Sequence, residues 1–313
     1  MYTALRYGMG WTDSKGKVVV ASTGKALRPV LCLFACETVG GSAKIAIPAA
    51  VALEFIHNFS LIHDDIQDKD QTRRGRPSLW VVCGEPKAVM AGNVLRVVAD
   101  MCLEQLIRHG VTVDDALVAI QIFTEAYLQM IEGQYLDLLF ERRHDIGLDD
   151  YLEMIARKTG ALIRCALEMG ATLGSSNSNT QSAFREFGRC LGFVFQIRDD
   201  VLGVWGKPAK TGKPVGADIQ RKKNSFPIVH AMNYAKGAEA RLFKQTYGKE
   251  TLDENDVSRI LEVMDRLGTE EYAQSLARDH CEKALDAIKG VELSPQARSE
   301  IEDLAKFLLT RDH

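Results

Sequence analysis

Alternating apolar and polar stretches are nearly absent from this chain, and no proline occurs between Pro86 and Pro208, which excludes a sheet-built core and permits long helices. Its seven cysteines, at 32, 36, 83, 102, 165, 190 and 281, include no CxxC pair. That spacing argues against a zinc ribbon or a redox dithiol and leaves buried free thiols in a reducing compartment. Neither sign of charge dominates: 39 basic and 42 acidic residues leave a net charge of -3, so no global field draws in nucleic acid or an anionic membrane. No apolar run approaches the roughly 18 residues of a spanning helix, and the opening MYTALRYGMGWTDSKGK lacks a basic region followed by an apolar core. The expectation is a cytoplasmic protein with no transmembrane segment.

What is present is helical patterning. Pro29 and Pro48 stand near the starts of apolar runs, where a missing N–H costs least, so helices are expected from VLCLFACETVG and from AAVALEFIHNFSLIHDDI. Helical periodicity continues through VTVDDALVAIQIFTEAYLQMIEGQYLDLLF and LDDYLEMIARKTGALIRCALEMGATLG. SSNSNTQSAF reads as a polar linker before FREFGRCLGFVFQIRDDVLGVW. The fold class is therefore all-α, and nothing compels a division of residues 1–313 into more than one domain. A polar, glycine-rich, basic stretch near 206–226 is longer than an average connector and reads as a mobile functional loop.

Two aspartate pairs, Asp64/Asp65 and Asp199/Asp200, end long apolar helical runs, where carboxylates are costly unless a positive partner meets them. Asp64 and Asp68 lie four apart on one helix face, and Arg73 and Arg74 follow closely. Such carboxylates suit a hard cation that keeps waters and bridges to substrate phosphates. Two further pairs, Asp114/Asp115 and Asp149/Asp150, sit at helix starts, where capping accounts for them.

RPVL, SLIHDDIQD with RRGRP, GQYLDL, ARKTGAL, FQIRDDVL and GKPVGADIQRKKNSFP occur in the order found in trans-isoprenyl diphosphate synthases, which the chain resembles over almost its whole length. The resemblance implies a homodimeric helical bundle of the isoprenoid synthase type around a central cavity. It also implies head-to-tail condensation of isopentenyl diphosphate with an allylic diphosphate: dimethylallyl, geranyl or farnesyl. Asp64, Asp65, Asp68 and Asp199 would hold magnesium, roughly three ions per active site once diphosphate is bound, with Asp200 in support. Lys158, Lys213, Lys223 and Arg73 match residues around the leaving diphosphate; Lys25, Arg28, His57 and Arg74 match the isopentenyl diphosphate site. Thr159 and Gln196 match residues beside the nascent cation, and Phe195 would pack near the isopentenyl group. Ordinary roles stay open for some of these: solvation for Lys213 and Lys223, a core histidine for His57, core packing for Phe195.

Phe59, five residues before Asp64 and about 7.5 Å deeper along a helix, is placed to stop a growing prenyl chain, whereas Ser60 leaves the next position small. With the resemblance, this points to a geranylgeranyl product, with farnesyl diphosphate the nearest alternative. A terpene cyclase and a non-catalytic regulatory subunit are the other readings. The latter is motivated by Gly203, Ala26 and Asn93, which stand where the family pattern has charged residues.

Overall fold

The computed structural model describes residues 1–19, 24, 26–141, 143, 145–212 and 214–312. It is all-α. In chain order the elements are α1 (Tyr2–Gly8), α2 (Leu27–Thr38), α3 (Ala43–Gln67), the two-residue strands β1 (Thr72–Arg73) and β2 (Arg76–Pro77), α4 (Leu79–Cys83) and α5 (Glu85–Leu103). After a 3₁₀ turn at Glu104–His109 come α6 (Val113–Phe140), α7 (Leu148–Ile155), a π-turn at Ala156–Gly160, α8 (Ala161–Gly174) and α9 (Ser178–Trp205). The short α10 (Pro208–Thr211) and α11 (Ala217–Gln220) lie within the basic loop, followed by α12 (Phe226–Tyr234), α13 (Ala238–Tyr247), α14 (Glu254–Arg266), α15 (Thr269–Ala287) and α16 (Pro295–Thr310). Two compact units are formed, one from Met1–Tyr127 with Cys165–Ser182, the other from Leu128–Arg164 with Ala183–His313.

In the first unit, α3 packs along α2 and α5 through a small-residue face of Ala46, Ala49 and Ala52 with Leu53 and Ile56, all fully buried. Gly170 and Gly174 of α8 let its backbone approach α2: a methyl on either would collide with the carbonyl oxygen of Cys32 or Cys36 respectively. All seven cysteines are free.

Two expectations need correction. Helix α3 starts at Ala43, so Pro48 lies inside it rather than at its head. One backbone hydrogen bond is lost there, and burial of the surrounding apolar face outweighs it. The stretch SSNSNTQSAF is mostly helix, because the Asn177 side chain accepts from the N–H groups of Asn179 and Thr180 and starts α9 at once. By length and apolarity alone α3 could cross a membrane, but 56% of its most apolar window is buried within the protein, as in a core helix.

In the second unit, Phe140, Ile146, Tyr151, Met154, Phe193, Ile197 and Phe226 form one core, and Val204, Ile219, Ile228, Phe243, Ile260 and Met264 another. His280 of α15 stacks on Phe193 with centroids 4.5 Å apart. Burial, reinforced by Lys283 and Arg189, lowers its pKa to about 4. Between about pH 6.5 and pH 4 the unfolded chain therefore binds a proton that the folded chain refuses, so stability falls as pH drops through that window. The expected loss is on the order of 2 kcal/mol, read from urea midpoints at pH 7 and pH 4.5. His280→Gln should flatten that dependence; an unchanged slope would assign it to another group.

Candidate active site

Helix α3 is apolar until its last turn, where Asp64 and Asp68 stand one above the other, half-exposed and exposed. Asp65 points elsewhere. It is 3% exposed and accepts a hydrogen bond from Arg73 Nε at 2.6 Å, and burial raises its pKa against the pull of that guanidinium. Arg73 is delivered by the β1–β2 hairpin, whose two-residue turn, Arg74-Gly75, has both φ angles positive, at 53° and 72°. The indole N–H of Trp80 donates to Asp70 O at 2.9 Å and ties the hairpin's base to α4.

Positive charge collects beside this hairpin. Burial pulls the Arg28 guanidinium down to about 10, with Glu54 opposing, and its Nε has no hydrogen-bond partner among the described residues. Burial together with Arg28, Arg74 and Arg73 holds the His57 pKa well below 6.5, so its imidazole is neutral near pH 7. A cavity of about 50 Å³ opens between Tyr7, Asn58, Asp65, Arg73, Arg74 and Arg76. Lys25 and Lys213 lie outside the described residues.

The chain-length candidates sit on the same helix. Phe59 packs against the unit's core and tilts over His63, with ring centroids 4.6 Å apart. Ser60 turns its hydroxyl back to His57 O at 2.8 Å and leaves its position small.

In the second unit, Lys158 and Thr159 project from the π-turn that joins α7 to α8. That turn is held between two glycines: a methyl at Gly133 would fall 2.6 Å from Lys158 Cα, and one at Gly192 would fall 2.7 Å from Gly160 Cα. A π-turn widens the helix and re-aims its side chains, and such bulges are frequent at functional sites. Lys158 Nζ is ion-paired with Asp137. Thr159 donates to Gln196 Oε1 at 2.7 Å, and Gln196 Nε2 donates to Asp200 Oδ1 at 2.9 Å, so three of the expected residues form one hydrogen-bonded chain.

Asp200 is fully buried and also accepts from the Tyr151 hydroxyl and from the Phe226 N–H at 3.1 Å. Burial raises its pKa to about 6, opposed chiefly by Lys223. Burial works against Lys223 as well, yet the carboxylates of Asp200, Asp218, Asp199 and Asp137 raise its pKa, so it stays ionised. Asp199 is exposed and pairs with Arg311, 3.1 Å away, which also lies over the Phe195 ring at 4.2 Å.

Sequence reading missed Tyr151, Asp137, Asp218 and Arg311. Tyr151 belongs to an acidic and apolar helical run without distinguishing spacing, Asp137 lay in view within GQYLDL with no role attached to it, and Arg311 follows the final helix, where no motif marks it. Asp218 lay in view within GADIQ, but its position against α9 is a matter of tertiary packing.

The donor set fits magnesium. Asp64 and Asp68 offer oxygen ligands on one face, while no group of three or more His, Cys, Asp or Glu side chains forms a metal cage among the described residues. Magnesium commonly keeps several waters and completes its shell with substrate phosphate, so a partial set suffices.

Clustered guanidinia, aspartate-ended helices and a lysine-bearing π-turn suit a helical enzyme that handles a strongly anionic substrate. The polyprenyl synthetase family model matches residues 10–264, and the chain belongs to that family. A short chain isoprenyl diphosphate synthase of Methanothermobacter thermautotrophicus is 39% identical over 297 residues, covering 94% of this chain and 89% of the relative. The crystal structure of geranylgeranyl pyrophosphate synthetase from Pyrococcus horikoshii superposes with TM-score 0.89 at 34% identity, covering 99% of this chain and 90% of that one. Geranylgeranyl pyrophosphate synthase from Corynebacterium glutamicum, complexed with isoprenyl diphosphate and magnesium, gives TM-score 0.82 at 27% identity, over 92% of this chain and 87% of that one. The protein is thus a trans-prenyltransferase with the all-α isoprenoid synthase fold. Relatives are variously named farnesyl, geranylgeranyl and geranylfarnesyl diphosphate synthases.

Proposed function

We propose that the chain condenses isopentenyl diphosphate with an allylic diphosphate in a magnesium-dependent reaction and releases geranylgeranyl diphosphate. The observation that carries the diphosphate reading is the Arg28–His57–Arg74 cluster: burial pulls the Arg28 guanidinium to about 10 against Glu54, its Nε has no hydrogen-bond partner among the described residues, the imidazole beside it is neutral, and an anion would complete it. We assign that cluster, with Lys25, to isopentenyl diphosphate. Asp64 and Asp68 are assigned to magnesium on the allylic diphosphate, with Asp65 acting through Arg73. Magnesium, once bound, would stabilise negative charge on the departing diphosphate. Lys158, Lys213 and Lys223 are assigned to the same charge, and Asp199 is assigned to metal binding. The oxygens of Thr159 and Gln196, fixed by the chain to Asp200, face the allylic cation electrostatically. Attack by the second substrate's double bond forms the new carbon–carbon bond, and proton loss restores the alkene.

Product length rests on Phe59. Purified protein given magnesium, farnesyl diphosphate and labelled isopentenyl diphosphate should yield a twenty-carbon alcohol after phosphatase treatment. No incorporation with any allylic primer would sink the synthase reading. Phe59→Ala should shift the product to longer chains by at least one isoprene unit, since the floor of an apolar tunnel recedes when an aromatic ring is removed. An unchanged product would place the floor elsewhere.

A homodimer is also proposed. Val89, Met90, Val97 and Met101 of α5 and Leu117 and Val118 of α6 are exposed apolar side chains, more than a solitary helix surface needs. Sedimentation of the purified chain at twice the monomer mass would support this, and a monomer at micromolar concentration would refute it.

A further inference from the structure

Of the two acidic motifs only the first carries a carboxylate at its fifth position. The first reads Asp64-Asp65-Ile66-Gln67-Asp68 and the second Asp199-Asp200-Val201-Leu202-Gly203, so the second has no carboxylate four residues on, where it would share a face with Asp199. The space is nonetheless filled. A methyl at Gly203 would overlap Asp218 Oδ2 and stand 2.6 Å from Cγ and 3.0 Å from Oδ1, so the Asp218 carboxylate occupies the volume of the missing side chain.

This placement is built by the loop. The Gly216 N–H, on a left-handed residue with φ 75°, donates to Val204 O at 2.8 Å and anchors the loop to α9 one residue beyond Gly203. Asp218 follows in the first turn of α11 and is 6% exposed. Its backbone carbonyl accepts from the Lys223 N–H at 2.9 Å, and its Oδ2 lies 3.9 Å from Lys223 Nζ. Lys222, at φ 52°, turns the chain between them and donates from Nζ to Tyr247 O at 3.2 Å. Lys223 is thereby held with Asp218 on one side and Asp200 on the other.

We infer that Asp218 supplies from the loop the carboxylate that α9 lacks at 203, and that it is a positioning residue for Lys223. Gly203 is then a requirement rather than a defect: it is the vacancy into which the loop docks. The inference deepens the proposed function, because it assumes that Lys223 meets a diphosphate.

Calorimetry with inorganic diphosphate and magnesium chloride, alongside melting temperatures, tests it on four variants. D218A should weaken diphosphate binding about tenfold, the scale of one lost charge-assisted contact. G203A/D218A should match D218A, since a methyl fills the space without restoring charge. G203D should lower both affinity and melting temperature, because two carboxylates compete for one volume. G203D/D218A, which returns the carboxylate to the helix, should recover at least half of the lost affinity on a logarithmic scale and most of the lost melting temperature. The inference is overturned if D218A binds diphosphate as the unaltered chain does, or if G203D/D218A is no better than G203A/D218A. Failure of the unaltered chain to make product would instead count against the proposed function, and the melting temperatures of G203D and G203D/D218A would still decide whether the two positions share one volume.

Discussion

Lys158→Ala is expected to lower kcat roughly 10²- to 10³-fold while changing KM for either substrate little, the range seen when one preorganised charge-stabilising donor is removed. The π-turn sets the position of this ammonium. An ordinary α-helical turn would place residue 158 differently, whereas the wider turn projects its ammonium beside Asp137. Lys158 has an acidic partner when no substrate is bound, so folding does not depend on a ligand to satisfy it. On the proposed assignment, the same ammonium gains a stronger partner as negative charge develops on a departing diphosphate, and that difference between ground and transition state would accelerate the reaction. Steady-state kinetics with a far-ultraviolet spectrum check the expectation. A proportionate rise in KM with unchanged kcat would show that Lys158 only binds.

Gly133→Ala should be nearly as damaging although its residue touches no substrate. Its methyl would overlap the Lys158 amide nitrogen and fall 2.6 Å from Lys158 Cα, and backbone cannot swing aside as a long side chain can. Either α6 backs away or the π-turn shifts. The first outcome costs about 3 kcal/mol of overpacking, and the second displaces Lys158 by a distance on the order of 1 Å, enough for roughly a 10²-fold loss of kcat. Urea midpoints and turnover measured together separate the two. Gly290→Ala is the control, since Gly290 has open space around its Cα and no left-handed backbone, and it should alter neither. If Gly133→Ala behaves like Gly290→Ala, the π-turn is not clamped by that glycine.

The helical class and the two acidic pairs could be read from sequence because both depend on short-range spacing: apolar residues at helical period, and adjacent carboxylates at the end of an apolar run. GQYLDL, which contains Asp137, and ARKTGAL, which contains Lys158, were visible as motifs, but their sequence gave no sign that α6 and the turn approach through Gly133. Pro48 misled because a proline rule for helix starts is local, and burial of alanine, leucine and isoleucine on α3 overrides it. The polar run SSNSN misled in the opposite direction, since an asparagine cap converts what resembles a linker into the head of α9. Gly203 read as a loss in one dimension and is a docking space in three. Arg311 follows α16, far in sequence from the Asp199 carboxylate it meets, and no spacing rule reaches that far.

The hairpin turn holds Arg74 on backbone that needs no rearrangement to meet a ligand. Because both central residues already occupy left-handed backbone, and the Asp65–Arg73 and Trp80–Asp70 bonds fasten the strands below, the guanidinium at its tip is presented by a scaffold set during folding. On the proposed assignment of Arg74, an encounter with isopentenyl diphosphate requires no ordering of that segment, and ordering is one of the larger entropic penalties of association. Arg74→Gly retains a residue at ease in this turn while deleting the charge, so its effect on affinity isolates electrostatics from preorganisation. A preset tip of this kind favours recognition limited by diffusion and desolvation rather than by loop closure.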